Sequence, residues 1–149
     1  MARLVLACLA LGASVGVYRW ARPTATSNPV GVLRSVALRY PMLRADLPVE
    51  QFGDGCDQGD GAACTELGLA FQRVRDEAGV PLPSCVDHAL YARACDGGHW
   101  RGCDLLARHP RGCGEPDLAW AESVLDRACR GAVFAACDAL GHIRVRRRS

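Results

Sequence analysis

The chain of 149 residues contains no lysine, so arginine supplies all 18 of its basic side chains. This absence excludes every mechanism that depends on a lysine amine. Among these are the lysine of a phosphate-binding loop, a Schiff base with a carbonyl substrate and the Ser-x-x-Lys nucleophile of serine β-lactamases. The length itself fits one domain with appended segments.

The sequence also lacks a hydrophobic run of the usual membrane-spanning length. Its longest uncharged run, from Leu4 to Tyr18, has 15 residues, whereas a spanning helix needs about 20. The run follows Arg3, as the apolar core of a signal peptide follows a basic start, and Trp20 would suit the interface next to an uncleaved anchor. We therefore expect residues 1–20 to be a signal peptide or an N-terminal membrane anchor that contacts the membrane through residues 4–18.

Charge is separated along the chain. Residues 1–50 carry six arginines against two acidic residues, and residues 51–143 carry eight arginines against 14 acidic residues. The last segment, residues 144–149, has four arginines and no acid, and we expect this basic tail to be disordered. The central part is mildly acidic, which argues against nucleic acid as its main partner.

Cysteine, by contrast, is abundant, and six of the nine cysteines recur in one pattern. Each copy has a small residue, a cysteine, seven further residues and a second cysteine, then a leucine three positions later and a glycine or alanine four positions later. The two cysteines of each copy are Cys56 and Cys64, Cys95 and Cys103, and Cys129 and Cys137. The first cysteines are 39 and 34 residues apart, a period typical of helix-pair repeats.

The spacing within a copy predicts a turn if its two cysteines are bonded. On one continuous helix the Cα atoms of Cys95 and Cys103 would be about 12 Å apart, whereas a disulfide needs roughly 4.4–6.8 Å. Each copy also has glycine two or three residues after its first cysteine, where helices commonly end. These glycines are Gly59, Gly97–Gly98 and Gly131. The pattern therefore predicts three helix–turn–helix hairpins.

The pattern resembles the cysteine-rich branch of the Sel-one-like repeat family, a relative of the tetratricopeptide repeat. That family pairs two antiparallel helices per unit, with Ala-Cys closing the first helix and Cys-x-x-Leu-Gly in the second. The matching elements are Ala94-Cys95, Ala128-Cys129, Leu67-Gly68 and Leu140-Gly141, while Gly55 and Ala107 depart from the family pattern. The resemblance covers residues 48–143. It implies an all-α fold, an αα-hairpin solenoid of about three repeats stapled by disulfides.

The repeat and the resemblance together predict four disulfides. Three join the cysteines within a copy, as Cys56–Cys64, Cys95–Cys103 and Cys129–Cys137. With Cys8 assigned to the targeting segment, Cys85 and Cys113 remain, both in loops that follow the second helix of a unit. Such loops fall on the same edge of a solenoid, so we predict a Cys85–Cys113 bond between units. Because disulfides persist in oxidising compartments, we expect a periplasmic, cell-envelope or secreted protein.

Residues 21–47 are predicted to be a linker that contains an amphipathic stretch. Between Val30 and Tyr40, the residues that share one helical face are Leu33, Val36, Ala37 and Tyr40. A basic amphipathic stretch could lie on a membrane surface. We favour a helix that caps the first repeat, because the ends of a solenoid need a cap.

Residues for catalysis or metal binding do not recur between the copies. His99 lies between Cys95 and Cys103, but the equivalent residues in the other copies are Asp60 and Val133. The short Cys-x2–4-Cys spacing of structural zinc sites is also missing. The sequence therefore predicts no catalytic, cofactor-binding or metal-binding residues.

Two functions of different classes fit these observations. Members of the family it resembles are mostly adaptors and scaffolds, which implies an exported protein–protein interaction module without catalytic activity of its own. Its partner would be another protein or peptide in the cell envelope. The alternative is a β-lactamase-like or cell-wall-ligand-binding protein, because some cysteine-rich members carry that label, although the lysine motifs of serine β-lactamases are absent. A structural envelope protein without a specific ligand is a third option.

Overall fold

The computed structural model describes residues 28–108, Cys113 and residues 117–148, and these residues are all-helical. The all-α prediction is therefore confirmed for this part of the chain, while the predicted targeting segment 1–20 lies outside it. The helices are α1 (Pro29–Arg39), a 3-10 turn (Pro41–Leu43), α2 (Val49–Asp57), α3 (Gly61–Glu77), α4 (Val86–Asp96), α5 (Trp100–Arg108), α6 (Leu118–Arg130) and α7 (Phe134–Arg148).

Polar side chains at the helix starts explain several of these boundaries. Asp60 accepts hydrogen bonds from the backbone N–H groups of Ala62 and Ala63, at 2.9 and 3.2 Å, and so caps α3. Asp117 caps α6 in the same way, by accepting the backbone N–H of Trp120 at 2.9 Å. Such caps satisfy N–H groups that have no partner within the helix.

The turns within the hairpins follow the predicted glycines in two cases out of three. Gly59 and Gly98 have φ values of +94° and +79°, which residues with a side chain rarely adopt. In the third turn, however, Gly131 has φ −79° and the left-handed residue is Ala132, with φ 65°. Glycine therefore lies at the end of the helix as predicted, but one residue before the position that needs it most.

Helices that follow one another in the chain also pack against one another. The pairs α2–α3, α4–α5 and α6–α7 are in contact, and so are α3 with α4 and α5 with α6. One cluster of buried side chains joins α1 to α4, with Leu33, Phe71 and Leu90 among its members. A second cluster joins α4 to α7 and includes Leu125 and Ile143.

Helix α1 packs against α2 and α4 with one apolar face. Val30, Leu33 and Val36 are buried there, whereas Ala37 and Tyr40 are only half-buried. The buried face therefore includes Val30 and is shifted away from Ala37 and Tyr40 compared with the prediction, because α1 packs against both α2 and α4. Within the described ranges, α1 and the other helices are too short or too polar to cross a membrane.

Helix α7 continues to Arg148, so residues 144–148 of the basic segment are helical in the structure and not disordered as we expected. Arg144 and Arg147 both bind the carboxylate of Glu122 on α6, with Arg144 Nε 3.0 Å from Oε1. These two bonds lower the pKa of Glu122 below its usual value, Arg144 making the largest contribution. The arginines thus hold the last turns of α7 against α6.

Candidate interaction grooves and the framework that holds them

The structure brings together the four cysteine pairs expected from the sequence. The Cα atoms are 4.6 Å apart in Cys56–Cys64, 4.5 Å in Cys95–Cys103, 4.7 Å in Cys129–Cys137 and 5.2 Å in Cys85–Cys113. Each of the three short pairs bridges the turn of one hairpin. The fourth joins the residue before α4 to the segment between α5 and α6. Four disulfides in a chain of this size indicate an oxidising compartment.

The joint between α3 and α4 is built around Gly68. A Cβ atom at this position would lie 2.5 Å from Cε1 of Tyr91, so only glycine leaves room for the tyrosine ring. Tyr91 is buried, and its hydroxyl donates a hydrogen bond to Oε1 of Gln72 at 2.9 Å. Burial raises the pKa of Tyr91 above its usual value, and the nearby carboxylate of Asp87 raises it further.

An ion pair closes one end of the same joint. Asp87 on α4 is completely buried, and its Oδ2 accepts a hydrogen bond from Nη1 of Arg75 on α3 at 2.5 Å. Burial by itself lowers the pKa of Arg75, but the hydrogen bond and charge of Asp87 outweigh it and raise the pKa above its usual value. Arg75 is therefore a cation at neutral pH, and it lies against the buried carboxyl group of Asp87, where it offsets the cost of burying a negative charge.

His99 closes the other end of the joint. The Thr65 hydroxyl donates to the backbone carbonyl of Gly61 at 2.8 Å and lies 2.9 Å from Nδ1 of His99. Because the hydroxyl has one proton, Nδ1 must donate in this contact. Burial lowers the pKa of His99 and keeps the imidazole neutral, although the charge of Asp60 opposes this effect. The histidine considered for metal binding thus connects α3 to the turn before α5, and the described residues contain no group of three metal-ligating side chains.

Two glycines at equivalent positions of the repeat should respond in opposite ways to replacement by alanine. We expect Gly68→Ala to lower the free energy of unfolding by about 1–3 kcal/mol, because the new Cβ overlaps the Tyr91 ring. Gly141→Ala should raise it by up to about 1 kcal/mol, because a Cβ there meets nothing within 4 Å and alanine favours the helix. Urea unfolding of both variants measures the difference. Equal changes of the same sign would contradict the tight joint.

Two open grooves, each of about 680 Å³, run along the sides of α1. We call the one between α1 and residues 44–51 the first groove. Its apolar lining includes Leu38, Leu47 and Val49, and Leu38 is 77% exposed. The second groove lies between α1 and the Pro81–Pro83 segment and is lined by Val32, Val36, Tyr40 and Leu82.

Charged side chains surround the apolar lining of the first groove. Arg34 Nη2 is 2.7 Å from Oδ1 of Asp54, and Arg44 pairs with Glu50. All four side chains are substantially exposed, so each ion pair contributes little to stability and can exchange its partner for a ligand's charged group. The first groove can therefore accept an apolar side chain of a ligand, with charged residues of this chain on either side of it.

The grooves could not be found from the repeat, because they depend on where α1 lies. One feature of the sequence did indicate a possible binding surface on this helix. Leu38 is an apolar residue that lies outside the apolar face predicted for this stretch. No known protein family, characterised protein or solved structure is detectably similar to this chain.

Proposed function

We propose that the chain is an exported helical-repeat module that binds another protein or peptide and has no catalytic activity of its own. In this proposal α2–α3, α4–α5 and α6–α7 are successive units of an αα-hairpin solenoid of the Sel-one-like or tetratricopeptide-like kind. Two observations support the repeat. Each hairpin has its disulfide at the same place, and the second helix of a hairpin packs against the first helix of the next.

The observation that carries the binding function is the first groove. An exposed leucine in an open cleft, with charged residues around it, has the composition of a protein interface, which has an apolar centre and a polar rim. Single exposed apolar residues are common on protein surfaces, but Leu38 lies in a concave site next to further apolar groups. The partner that fits is a segment with an apolar side chain next to charged residues.

The proposed place of action is the periplasm, the cell envelope or the outside of the cell. The four disulfides support an oxidising compartment, since such bonds are rare where thiols are kept reduced. Attachment to the inner membrane through residues 4–18 is part of the proposal and rests on the sequence alone.

A photoreactive residue in the first groove tests the binding function. Gln51 lines this groove and is exposed, so its replacement by p-benzoylphenylalanine leaves Leu38 in place. Irradiation with envelope extract of the host should give one discrete adduct, identified by mass spectrometry. Adding Leu38→Asp should reduce its yield about tenfold or more, because an anchor of the interface is lost.

The matched control is Val145→Asp, at a residue that is 70% exposed on α7, away from the groove. This variant should keep the adduct. No adduct, or an adduct that Leu38→Asp leaves unchanged, would contradict the assignment of the groove. Hydrolysis of a chromogenic β-lactam by the purified chain would instead support the β-lactamase-like alternative.

A further inference from the structure

One set of positions on α3 makes all the contacts of the joint described above. We call this set the docking stripe. It is defined by position relative to the second cysteine of each hairpin, which is Cys64 in the first: one residue lies three positions before the cysteine, and the others lie one, four, eight and eleven positions after it. On α3 the docking stripe consists of Gly61, Thr65, Gly68, Gln72 and Arg75. Their contacts are Ala94, His99, Tyr91 and Asp87, all on α4 or in the turn that follows it.

In the second hairpin the structure describes the first three positions of the docking stripe, and these are covered as well. On α5 its first three positions are Trp100, Asp104 and Ala107. Trp100 is half-buried, the Asp104 side chain is 18% exposed and Ala107 is 6% exposed. Helix α6 packs on α5, and Leu125 of α6 belongs to the same buried cluster as Ala107. The first three positions of the stripe are therefore covered on α5, as they are on α3.

On α7 the same stripe is exposed along its whole length. Its residues are Phe134, Asp138, Gly141, Val145 and Arg148. Phe134 is 81% exposed and Val145 is 70% exposed, and a Cβ at Gly141 would meet no atom of the described residues within 4 Å. Phenylalanine, aspartate and glycine here repeat the aromatic, aspartate and small residue of the covered stripe on α5. The surface has the composition of a helix-docking face, and none of the helices in the described part of the chain lies on it.

We propose that a second copy of the chain covers this stripe, through an antiparallel pair of α7 helices that cross at Gly141 about a twofold axis. Gly141 is the centre of the stripe, with Phe134 seven residues before it and Arg148 seven residues after it. Antiparallel pairing about this centre places Phe134 of each copy against Arg148 of the other, where ring and guanidinium attract each other. Asp138 then lies within about one helical turn of the same arginine, so the charges are complementary.

The joint between α3 and α4 provides the precedent for this geometry. Gly61 lies next to Ala94 while Arg75 lies next to Asp87, so those two helices also run antiparallel. Glycine in the middle of that stripe lets the helices approach closely, and Gly141 offers the same space. Arg144 and Arg147 are bound to Glu122 within the same hairpin, which leaves Asp138 and Arg148 as the charges of the stripe.

The dimer should be weak and dependent on concentration. One pair of short helices buries less than the roughly 1,200–2,000 Å² of a stable interface. A twofold contact, in which the same surface meets itself, is the commonest arrangement of identical chains. This inference goes beyond the proposed function, because the first groove lies on α1 and α2 and can bind its partner whether or not α7 pairs.

Sedimentation equilibrium of the full chain, with its disulfides intact, tests the proposal. The weight-average mass should rise with concentration toward twice that of one chain. Phe134→Asp should raise the dimer dissociation constant about tenfold or more, because a buried aromatic anchor is replaced by a charge. The control Met42→Asp places the same charge at another strongly exposed apolar residue, one that lies outside both grooves, and should leave the constant unchanged. Circular dichroism checks that both variants keep their helices.

Cross-linking on the axis provides a second measurement. Because Cys8 is outside the four disulfides, the cross-linking is done with Cys8→Ser. When Gly141→Cys is added, the two new thiols face each other, and copper phenanthroline with oxygen should oxidise them to one disulfide between the chains. Met42→Cys, also combined with Cys8→Ser, should give no covalent dimer under the same conditions. The proposal fails if the chain stays monomeric at all concentrations, if larger assemblies form in place of a dimer, or if Phe134→Asp and Met42→Asp behave alike.

Discussion

Removal of the second hairpin's disulfide by Cys95→Ser and Cys103→Ser should lower the free energy of unfolding by more than about 2.6 kcal/mol. Loss of the entropic constraint on its nine-residue loop accounts for about that amount. Both cysteines are also buried, so two serine hydroxyls in the core add a further cost. A loss of this size is a large part of the roughly 5–15 kcal/mol of a typical domain and should lower the melting temperature by about 10 °C or more.

The third hairpin supplies the matched control. Cys129 and Cys137 close a loop of the same length, but both are half-buried, so their replacement should cost mainly the loop contribution. Thermal and urea unfolding of the two double variants separates the stability lost by placing serine in the core from the stability lost by opening the disulfide loop. Equal losses would show that burial adds nothing, and an unchanged melting temperature in the Cys95 and Cys103 variant would contradict the hairpin framework.

Arg75→Met should lower the free energy of unfolding by about 3 kcal/mol. The substitution keeps the apolar stem of the side chain but removes the cation that binds the completely buried carboxylate of Asp87. The buried carboxylate then loses this cation, which destabilises the packing of α3 against α4. Urea unfolding at neutral pH measures the change, and protection of the α4 amides from hydrogen exchange should fall with it.

Arg73→Met is the control for this prediction. Arg73 lies two residues away on the same helix and is exposed, so the same loss of charge should change stability by less than about 0.5 kcal/mol. If the two variants unfold at the same urea concentration, the pair between Arg75 and Asp87 does not stabilise the joint.

Much of the helical framework follows from local features of the sequence. The eight-residue step between Cys95 and Cys103, with Gly98 after the first cysteine, permits a disulfide only if the chain turns back, and the structure has a turn there. Caps such as Asp60 act on N–H groups two and three residues away, so their effect is also readable in the chain. The apolar face of α1 was predicted less well, because one of the two helices that cover it, α4, is remote in sequence.

The sequence by itself determined where the hairpins form and which cysteines can meet, because both depend on spacing along the chain. Only the tertiary structure decided which surfaces are covered. Gly68 and Gly141 occupy the same place in the Cys-x-x-Leu-Gly pattern, yet one is filled by the Tyr91 ring and the other is open. Likewise, Leu38 and Leu33 differ in exposure only because α1 packs with one face on α2 and α4. Exposure is set by neighbours distant in sequence, and the candidate groove and the docking stripe on α7 are both consequences of it.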